Sequence, residues 1–414
     1  MQRHTKKIYR RIRRVLAILL PILTISLAAL LIAGSYISRN QENGTDNAPA
    51  LADNDADPAA PVQPAQDEGH APDDNAPDAT DQAVEENPPE EPEPEVLSEP
   101  VTLLFTGDVL LSDYVLNNYK NDGIDGVLSP ELQNEMKNSD ITVINHEFPF
   151  STRGTQAPDK QFTFRVDPAY VSLLTDMGVD IAGLANNHVL DYGAQALLDT
   201  FDTLDHAGID YMGAGNDIAR ASALITKQAG GKTFGFLAAS RVIPVVSWDV
   251  RNATPGVFTT YDPALLVEAI AQAKDRCDYL TVFVHWGIER DEYPQDYQVS
   301  MAEQYIDAGA DLVIGSHPHV LQGITYYKDK PVFYSLGNFI FNQNIDRTAA
   351  VKVTVDGEHK PVVQLIAASA SNARTAACED AQKADIFKYL ERISSGIAID
   401  ENGTLSPVAS TSSE

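Results

Sequence analysis

The chain has 414 residues, more than one domain's worth on length alone. It carries 30 Lys and Arg against 59 Asp and Glu, a formal net charge of −29, which excludes broad nucleic-acid binding because a phosphate backbone requires a basic surface. The two cysteines, Cys277 and Cys378, lack the clustered spacing of a zinc site, and outside the cytoplasm a disulfide between them is permitted without being required.

Residues 1–39 carry only basic charges, from Arg3 to Arg14 and at Arg39. Between them, residues 15–37 are uncharged. At roughly 20 residues or more, such a stretch spans a bilayer, whereas the apolar region of a cleavable signal is about 7–15 residues long. A membrane anchor is expected, with a weak cleavage signal at Ala33-Gly34-Ser35 as the alternative. The basic cluster keeps the N-terminus inside and sends everything beyond residue 40 out of the cytoplasm.

Residues 40–100 contain acids and no Lys or Arg, with runs such as "PPEEPEPE". So little apolar surface cannot offset the entropy of ordering, and proline with self-repelling charge keeps a chain extended. A disordered spacer is expected, with an acidic binding segment as the alternative.

From Val101 the composition changes. Strand-like apolar runs recur at 101–105, 141–144, 179–184, 234–238, 279–284, 312–314 and 332–334. Helical stretches are predicted at 194–206 with Gly208 as a stop, at 263–276 after Asp262, at 299–308 and at 386–393. Runs 350–355 and 362–366, joined through Asp356-Gly357, predict a hairpin. The alternation predicts an α/β domain over 101–395 and a tail over 396–414.

Polar residues follow these strands with regularity: Asp108, then Asn145-His146-Glu147, Asn186-Asn187-His188, His285, His317-Pro318-His319 and Asn338. In α/β sheets, ligands bind beyond the carboxyl ends of strands. Each residue has a blander reading. Asp108 can cap a helix, His285 can be a satisfied buried imidazole, and His206 suits a helix C-terminus. His146 should point away from Asn145 and Glu147, because strand side chains alternate, and is read as structural. His4, His70 and His359 lie outside the pattern. Pro318 breaks regular structure, so a bent loop can aim both flanking rings at one centre. Asp108, Glu147, Asn187, His285, His317 and His319 form an oxygen- and nitrogen-rich set without thiolate, suited to one or two divalent ions such as manganese, zinc or iron. His188 is then left to donate a proton, with Asp191 orienting it.

The segments "FTGDVLLSD", "NHEFPF", "KQFTFRVDP", "LANNHVLDYG", "VHWGIER", "DAGADLVIGSHPHVLQG" and "YSLGNFIF", in this order, resemble the CapA-like family of poly-γ-glutamate capsule biosynthesis proteins. The likeness runs from about Val101 to Phe341, and more loosely to about residue 395. It implies a calcineurin-like metallophosphatase fold, a four-layer α/β/β/α sandwich. It also implies a bacterial envelope protein, here single-pass in the cytoplasmic membrane, whose partners are poly-γ-glutamate or a related polymer and membrane-bound synthase subunits. By the same likeness Asp108 is the first-strand aspartate, Glu147 the bridging carboxylate, Asn187 a ligand beside catalytic His188, and His285, His317 and His319 the later ligands. Leu110 stands where a metallophosphatase commonly has histidine, which leaves a single-metal centre open.

Two functions are compatible with these features: a metal-dependent hydrolase of an envelope phosphoester or amide, and a non-catalytic assembly factor that binds polymer or synthase. The net acidity disfavours broad capture of a polyanion, so any capture is local, through metal or through Arg153, Lys160 and Arg165. Arg165 is favoured, since guanidinium pairs bidentately with carboxylate or phosphate, and a surface salt bridge is its alternative. Asn186, Glu289 and Asn338 complete the candidates for substrate contact.

Overall fold

A computed structural model of the protein describes residues 99–357 and 361–408. The expected anchor and its basic flank, the linker up to residue 98, and the last residues from 409 lie outside the described residues. Among the described residues no helix is long and apolar enough to cross a membrane.

In chain order the strands are β1 (Val101–Val109), β2 (Ile141–His146), β3 (Ile181–Gly183), β4 (Asp210–Met212), β5 (Ala214–Gly215), β6 (Ile225–Ala229), β7 (Lys232–Ser240), β8 (Gly256–Val257) and β9 (Tyr279–His285). They continue as β10 (Leu312–Ser316), β11 (Ile324–Tyr327), β12 (Lys330–Phe333), β13 (Asn338–Ile340), β14 (Ile345–Val355), β15 (Pro361–Ser371), β16 (Arg374–Ala377), β17 (Ile397–Ile399) and β18 (Leu405–Pro407). Two large sheets result. One runs β16-β15-β14-β1-β2-β3-β4, with β13 also pairing β1; the other runs β11-β12-β10-β9-β7-β6. Strands β1 to β4 are mutually parallel, and so are β7, β9, β10 and β12. Parallel neighbours need crossovers, which the helices Pro130–Asn138, Val171–Met177, Gly193–Ala207, Ala264–Lys274 and Asp296–Ala308 supply, except between β10 and β12, where β11 intervenes.

The second sheet buries both faces. Phe234, Phe236, Ala238, Phe283 and Ile314 share one core with Leu103, Phe105, Val143 and Ile144 of the first sheet. Residues of opposite parity, Leu237, Ala239, Val282, Val284 and Val313, pack instead on Leu266, Ile270, Met301 and Tyr305 of its helices. Continuous apolar runs in these strands follow from burial on both sides. The domain is therefore mixed α/β and rich in sheet.

Local signals set the element ends. Ser129 Oγ accepts from Leu132 N and Pro130 opens the helix, while Gly178 and Gly208 close theirs in the left-handed conformation. The helix expected from 263 begins at Ala264, whose N–H is taken by the Asp262 carboxylate (3.0 Å). Gly107 is required by close approach: a Cβ there would overlap the Gly337 carbonyl where β13 joins β1. Residues 396–407, expected as tail, form the β17–β18 ribbon, and Leu365 N donates to Gly403 O (2.8 Å), tying it to β15. Cys277 and Cys378 are unpaired; Cys277 Sγ donates to Ala273 O (3.3 Å), and Cys378 Sγ lies 3.7 Å from Ser369 Oγ.

His146 sits fully buried against Phe148 and Phe150, with ring centroids 3.9 and 5.0 Å away, and neither ring nitrogen makes a well-formed hydrogen bond. Burial pushes its pKa down to about 3. The unfolded chain, with an imidazole near pH 6.5, therefore binds more protons between those values, and stability falls as pH drops through that window. Replacing His146 with Leu should flatten this slope. Between pH 7.5 and 5, the variant should lose roughly 2 kcal/mol less than the wild type in urea melts. Equal losses in the two proteins would contradict the assignment.

Candidate metal centre

The carboxyl ends of β1, β2, β9 and β10 converge. Register places Asp108 of β1 beside Asn145 of β2 and Asn338 of β13, and His285 of β9 beside Ser316 of β10. Because alternate residues share a face, Asn145 and Glu147 turn to the centre and His146 to the core. Asn145 Nδ2 donates to Asp108 Oδ1 (2.8 Å) and Glu147 Oε2 (3.1 Å), and its own Oδ1 accepts from Asn186 Nδ2 (3.2 Å). One amide thereby fixes both carboxylates.

Three imidazoles complete the cluster. His285 Nδ1 lies 3.0 Å from Ser316 Oγ, and its Nε2 lies 3.0 Å from Asn187 Oδ1. The rings of His285 and His317 are 4.7 Å apart. His319 Nδ1 lies 3.0 Å from Asp108 Oδ2 and 2.8 Å from Asn338 Oδ1, with Nε2 3.8 Å from Glu147 Oε1. Both His317 (φ 99°) and His319 (φ 60°) occupy positive φ, a conformation uncommon for side-chain-bearing residues. The bend around Pro318 is held by Arg290 N donating to Pro318 O (2.8 Å).

Ligand atoms of buried Asp108, Glu147 and His285 all lie within 4.8 Å of one another, so this group can hold a metal ion. Two further buried atoms, Glu147 Oε1 and His317 Nδ1, have no hydrogen-bond partner. Buried polar atoms are normally satisfied, and a carboxylate oxygen and an imidazole lone pair are both donors to a divalent cation. The electrostatics agree. Burial and the Asp108 carboxylate push the Glu147 carboxyl well above its usual range. Although burial opposes charging of His319, the Glu147 and Asp108 carboxylates push it up to about 10. Burial, reinforced by His319, pushes His317 down to about 3, leaving a neutral imidazole of the kind metals take. The residues therefore fit a divalent ion.

Beside this cluster, His188 Nδ1 lies 2.7 Å from Asp191 Oδ2, and Nε2 faces Glu147 Oε1 at 4.0 Å. Burial lowers the His188 pKa and the Asp191 carboxylate opposes that shift. Phe164 packs against the ring at a tilt, with centroids 4.5 Å apart, and Phe164 N donates to Asp191 Oδ2 (2.7 Å). Lys160 Nζ donates to Asp191 Oδ1 and to the Asn187 carbonyl, and lies 2.9 Å from His188 Nδ1.

The remaining candidates are placed differently. Asn186 is fully buried; its amide nitrogen donates to His146 O (2.8 Å), and its oxygen accepts from His188 N (3.0 Å). It shapes the turn that carries Asn187 and His188. Arg165 is exposed and stacks over Tyr192 at 4.1 Å, with Nη1 donating to Arg153 O (3.0 Å), so it is not drawn into the cluster. Glu289 is exposed on the loop after His285, and Asn338 contacts the cluster through His319. Asn145, Lys160 and Ser316 are brought in by the fold. Strand alternation put Asn145 on the face of Glu147, but nothing in the sequence marked it as the residue bridging two carboxylates. Lys160 arrives from a loop 31 positions before Asp191.

Comparison with known proteins places this centre in context. A family model described as bacterial capsule synthesis protein PGA_cap matches residues 102–343. The capsule biosynthesis protein CapA of Bacillus anthracis is 34% identical over 264 residues, covering 61% of this chain and 62% of that protein. The PGA biosynthesis protein CapA of Bacillus subtilis (strain 168) is 34% identical over 248 residues, covering 59% and 64%. A protein of Mycobacterium tuberculosis described as a probable polyglutamine synthesis accessory protein is 35% identical over 211 residues, covering 49% and 56%. The chain thus spans less than two thirds of the length of each of these relatives. The family match takes in more than half of the chain and every candidate ligand from Asp108 to His319, and on that basis the chain belongs to the PGA_cap family of bacterial capsule synthesis proteins.

Proposed function

We propose that this domain is a metal-dependent hydrolase of the phosphoesterase type that serves poly-γ-glutamate capsule biosynthesis or export. We place it outside the cytoplasmic membrane on a single N-terminal anchor, with its two sheets in the four-layer metallophosphatase arrangement. One observation carries the catalytic reading: buried Asp108, Glu147 and His285 converge while Glu147 Oε1 and His317 Nδ1 lack partners.

Asp108, Glu147, Asn187, His285, His317 and His319 would hold the ion. A divalent ion there supplies Lewis acidity to a substrate oxygen. The chain's own groups do the rest. Asn145 holds both carboxylates in register, and Ser316 orients His285. Asp191 accepts from His188 Nδ1–H and favours the imidazolium against the effect of burial; in that form the Nε2 proton faces the cluster and is placed for transfer to a leaving oxygen. Lys160 ties Asp191 to the Asn187 carbonyl and keeps the 187–191 turn in place.

A second reading, an assembly factor without catalysis, is favoured by Leu110. It is buried and apolar at a position where a further ligand would serve a second ion. The two readings separate on hydrolysis of a generic phosphodiester by the full chain. Activity removed by a chelator and restored by Mn²⁺, Zn²⁺ or Fe²⁺ is the expected result. A chelated protein that stays folded, while variants that cannot bind metal still support polymer production in cells, would establish the assembly factor instead.

A further inference from the structure

The Arg241 guanidinium is held near the centre by aromatic rings and by no carboxylate of the described residues. Arg153, Lys160 and Arg251 pair with Asp199, Asp191 and Asp249. Among the described residues, Arg241 has no ion pair and its side chain donates no hydrogen bond; its Nε is buried without a partner. The Nη groups of this half-buried side chain are not fully buried and have no partner among the described residues, so they are the ones that can meet an acceptor from outside the chain. The side chain is nevertheless held in place: its guanidinium carbon lies 3.8 Å from the Tyr297 ring centroid and 5.6 Å from that of Tyr261. Both rings are fixed in turn, since the Tyr297 hydroxyl accepts from Gly287 N (2.9 Å) and that of Tyr261 from Ile243 N (3.1 Å).

This fork is tied to the metal centre through the backbone. Ser240, the last residue of β7, pairs with His285, and Arg241 N donates to His285 O (2.8 Å). The loop from His285 to the helix Asp296–Ala308 then joins the imidazole to Tyr297, the platform on which the guanidinium rests. Arg241 is half-buried and Tyr261 is exposed, so an anion can reach the fork.

We infer that Arg241, lying over Tyr297 with Tyr261 nearby, is an oxyanion-binding subsite beside the metal centre that takes a carboxylate of an acidic polymer. The choice of polymer rests on the function proposed above; the oxyanion chemistry does not. A planar guanidinium with free N–H groups matches a carboxylate bidentately, and the aromatic faces fix its orientation before binding. A chain with a carboxylate on every residue can occupy this fork while passing the centre. Phosphate shares the chemistry, so the test must separate the two.

The test is protection of Arg241 from phenylglyoxal in the full wild-type chain, mapped by mass spectrometry, with γ-linked hexaglutamate, its neutral hexaglutamine counterpart and inorganic phosphate as probes. Hexaglutamate should protect and hexaglutamine should not. In a binding titration, Arg241→Gln should weaken hexaglutamate roughly tenfold, and Arg241→Lys, which keeps charge without the fork, should recover only part of the loss. Metal content should stay at the wild-type level. Protection by phosphate alone would overturn the carboxylate assignment, and protection by no probe would overturn the subsite. Unchanged hexaglutamate affinity in Arg241→Gln would overturn Arg241's role while leaving the polymer reading standing. Failure of the hydrolase reading appears separately, as a wild-type chain that binds no metal.

Discussion

Replacing His188 with Asn is expected to lower hydrolysis of a phosphodiester by roughly 10²–10⁴-fold, the usual contribution of a positioned acid–base group. Metal content and fold should persist. Asp191 keeps its ion pair with Lys160 and the hydrogen bond from Phe164 N, and Asn186 still holds the turn through the backbone of residues 188 and 189. The loss should fall on kcat more than on KM, because the group acts on the reacting proton. Asn187→Ala serves as the contrast: its side chain meets His285 at 3.0 Å, so its loss should disturb metal binding as well. If His188→Asn retains metal and normal turnover, and cells carrying it make normal polymer, His188 is a structural hydrogen-bonding residue.

The second large effect concerns Glu147, where removing the charge should have opposite consequences with and without metal. Its carboxyl is pushed up by burial and then by Asp108. A raised carboxyl holds its proton more tightly in the folded state. The associated stability is therefore complete below the unfolded value of about 4.3 and is lost as pH rises through the folded value. In chelator at pH 8, Glu147→Gln should consequently melt above the wild type. With a divalent ion at 100 times its dissociation constant, the wild type gains about 2.7 kcal/mol from binding to the native state alone. The variant lacks the carboxylate and should gain much less, so the order of melting temperatures reverses. A Glu147→Gln variant that melts below the wild type in chelator would show that the carboxylate is satisfied without an ion.

Much of this arrangement was legible in the sequence. Strands buried on both faces read as apolar runs, and the polar residues that end β1, β2, β9 and β10 are the ones that meet. Short elements were less visible. The helices Asp113–Asp122 and Val171–Met177 lie between the predicted runs, and β17 and β18 are three residues each, too short for periodicity to show. Long-range placement was hidden for a different reason. Arg165, with the better chemistry for an anion, stacks outward on Tyr192, while Lys160, five residues earlier, turns in to Asp191. Which of two cations in one loop enters a site depends on the loop path, fixed here by Phe164 N binding Asp191, and no local pattern encodes that contact. Arg241 was likewise unremarkable in sequence; its unpaired state emerges only once Tyr261 and Tyr297 surround it.

The central claim, that the converging carboxylates and imidazoles hold a divalent ion, is tested most directly by elemental analysis of the purified full chain beside Glu147→Ala, His317→Ala and His146→Ala. The account predicts at least one divalent ion per wild-type chain, sharply reduced content in Glu147→Ala and His317→Ala, and content close to wild type in His146→Ala, whose ring faces the Phe148–Phe150 core. A folded wild-type chain that carries no divalent ion and takes none up on dialysis against Mn²⁺, Zn²⁺ or Fe²⁺, or equal losses in all three variants, would contradict it.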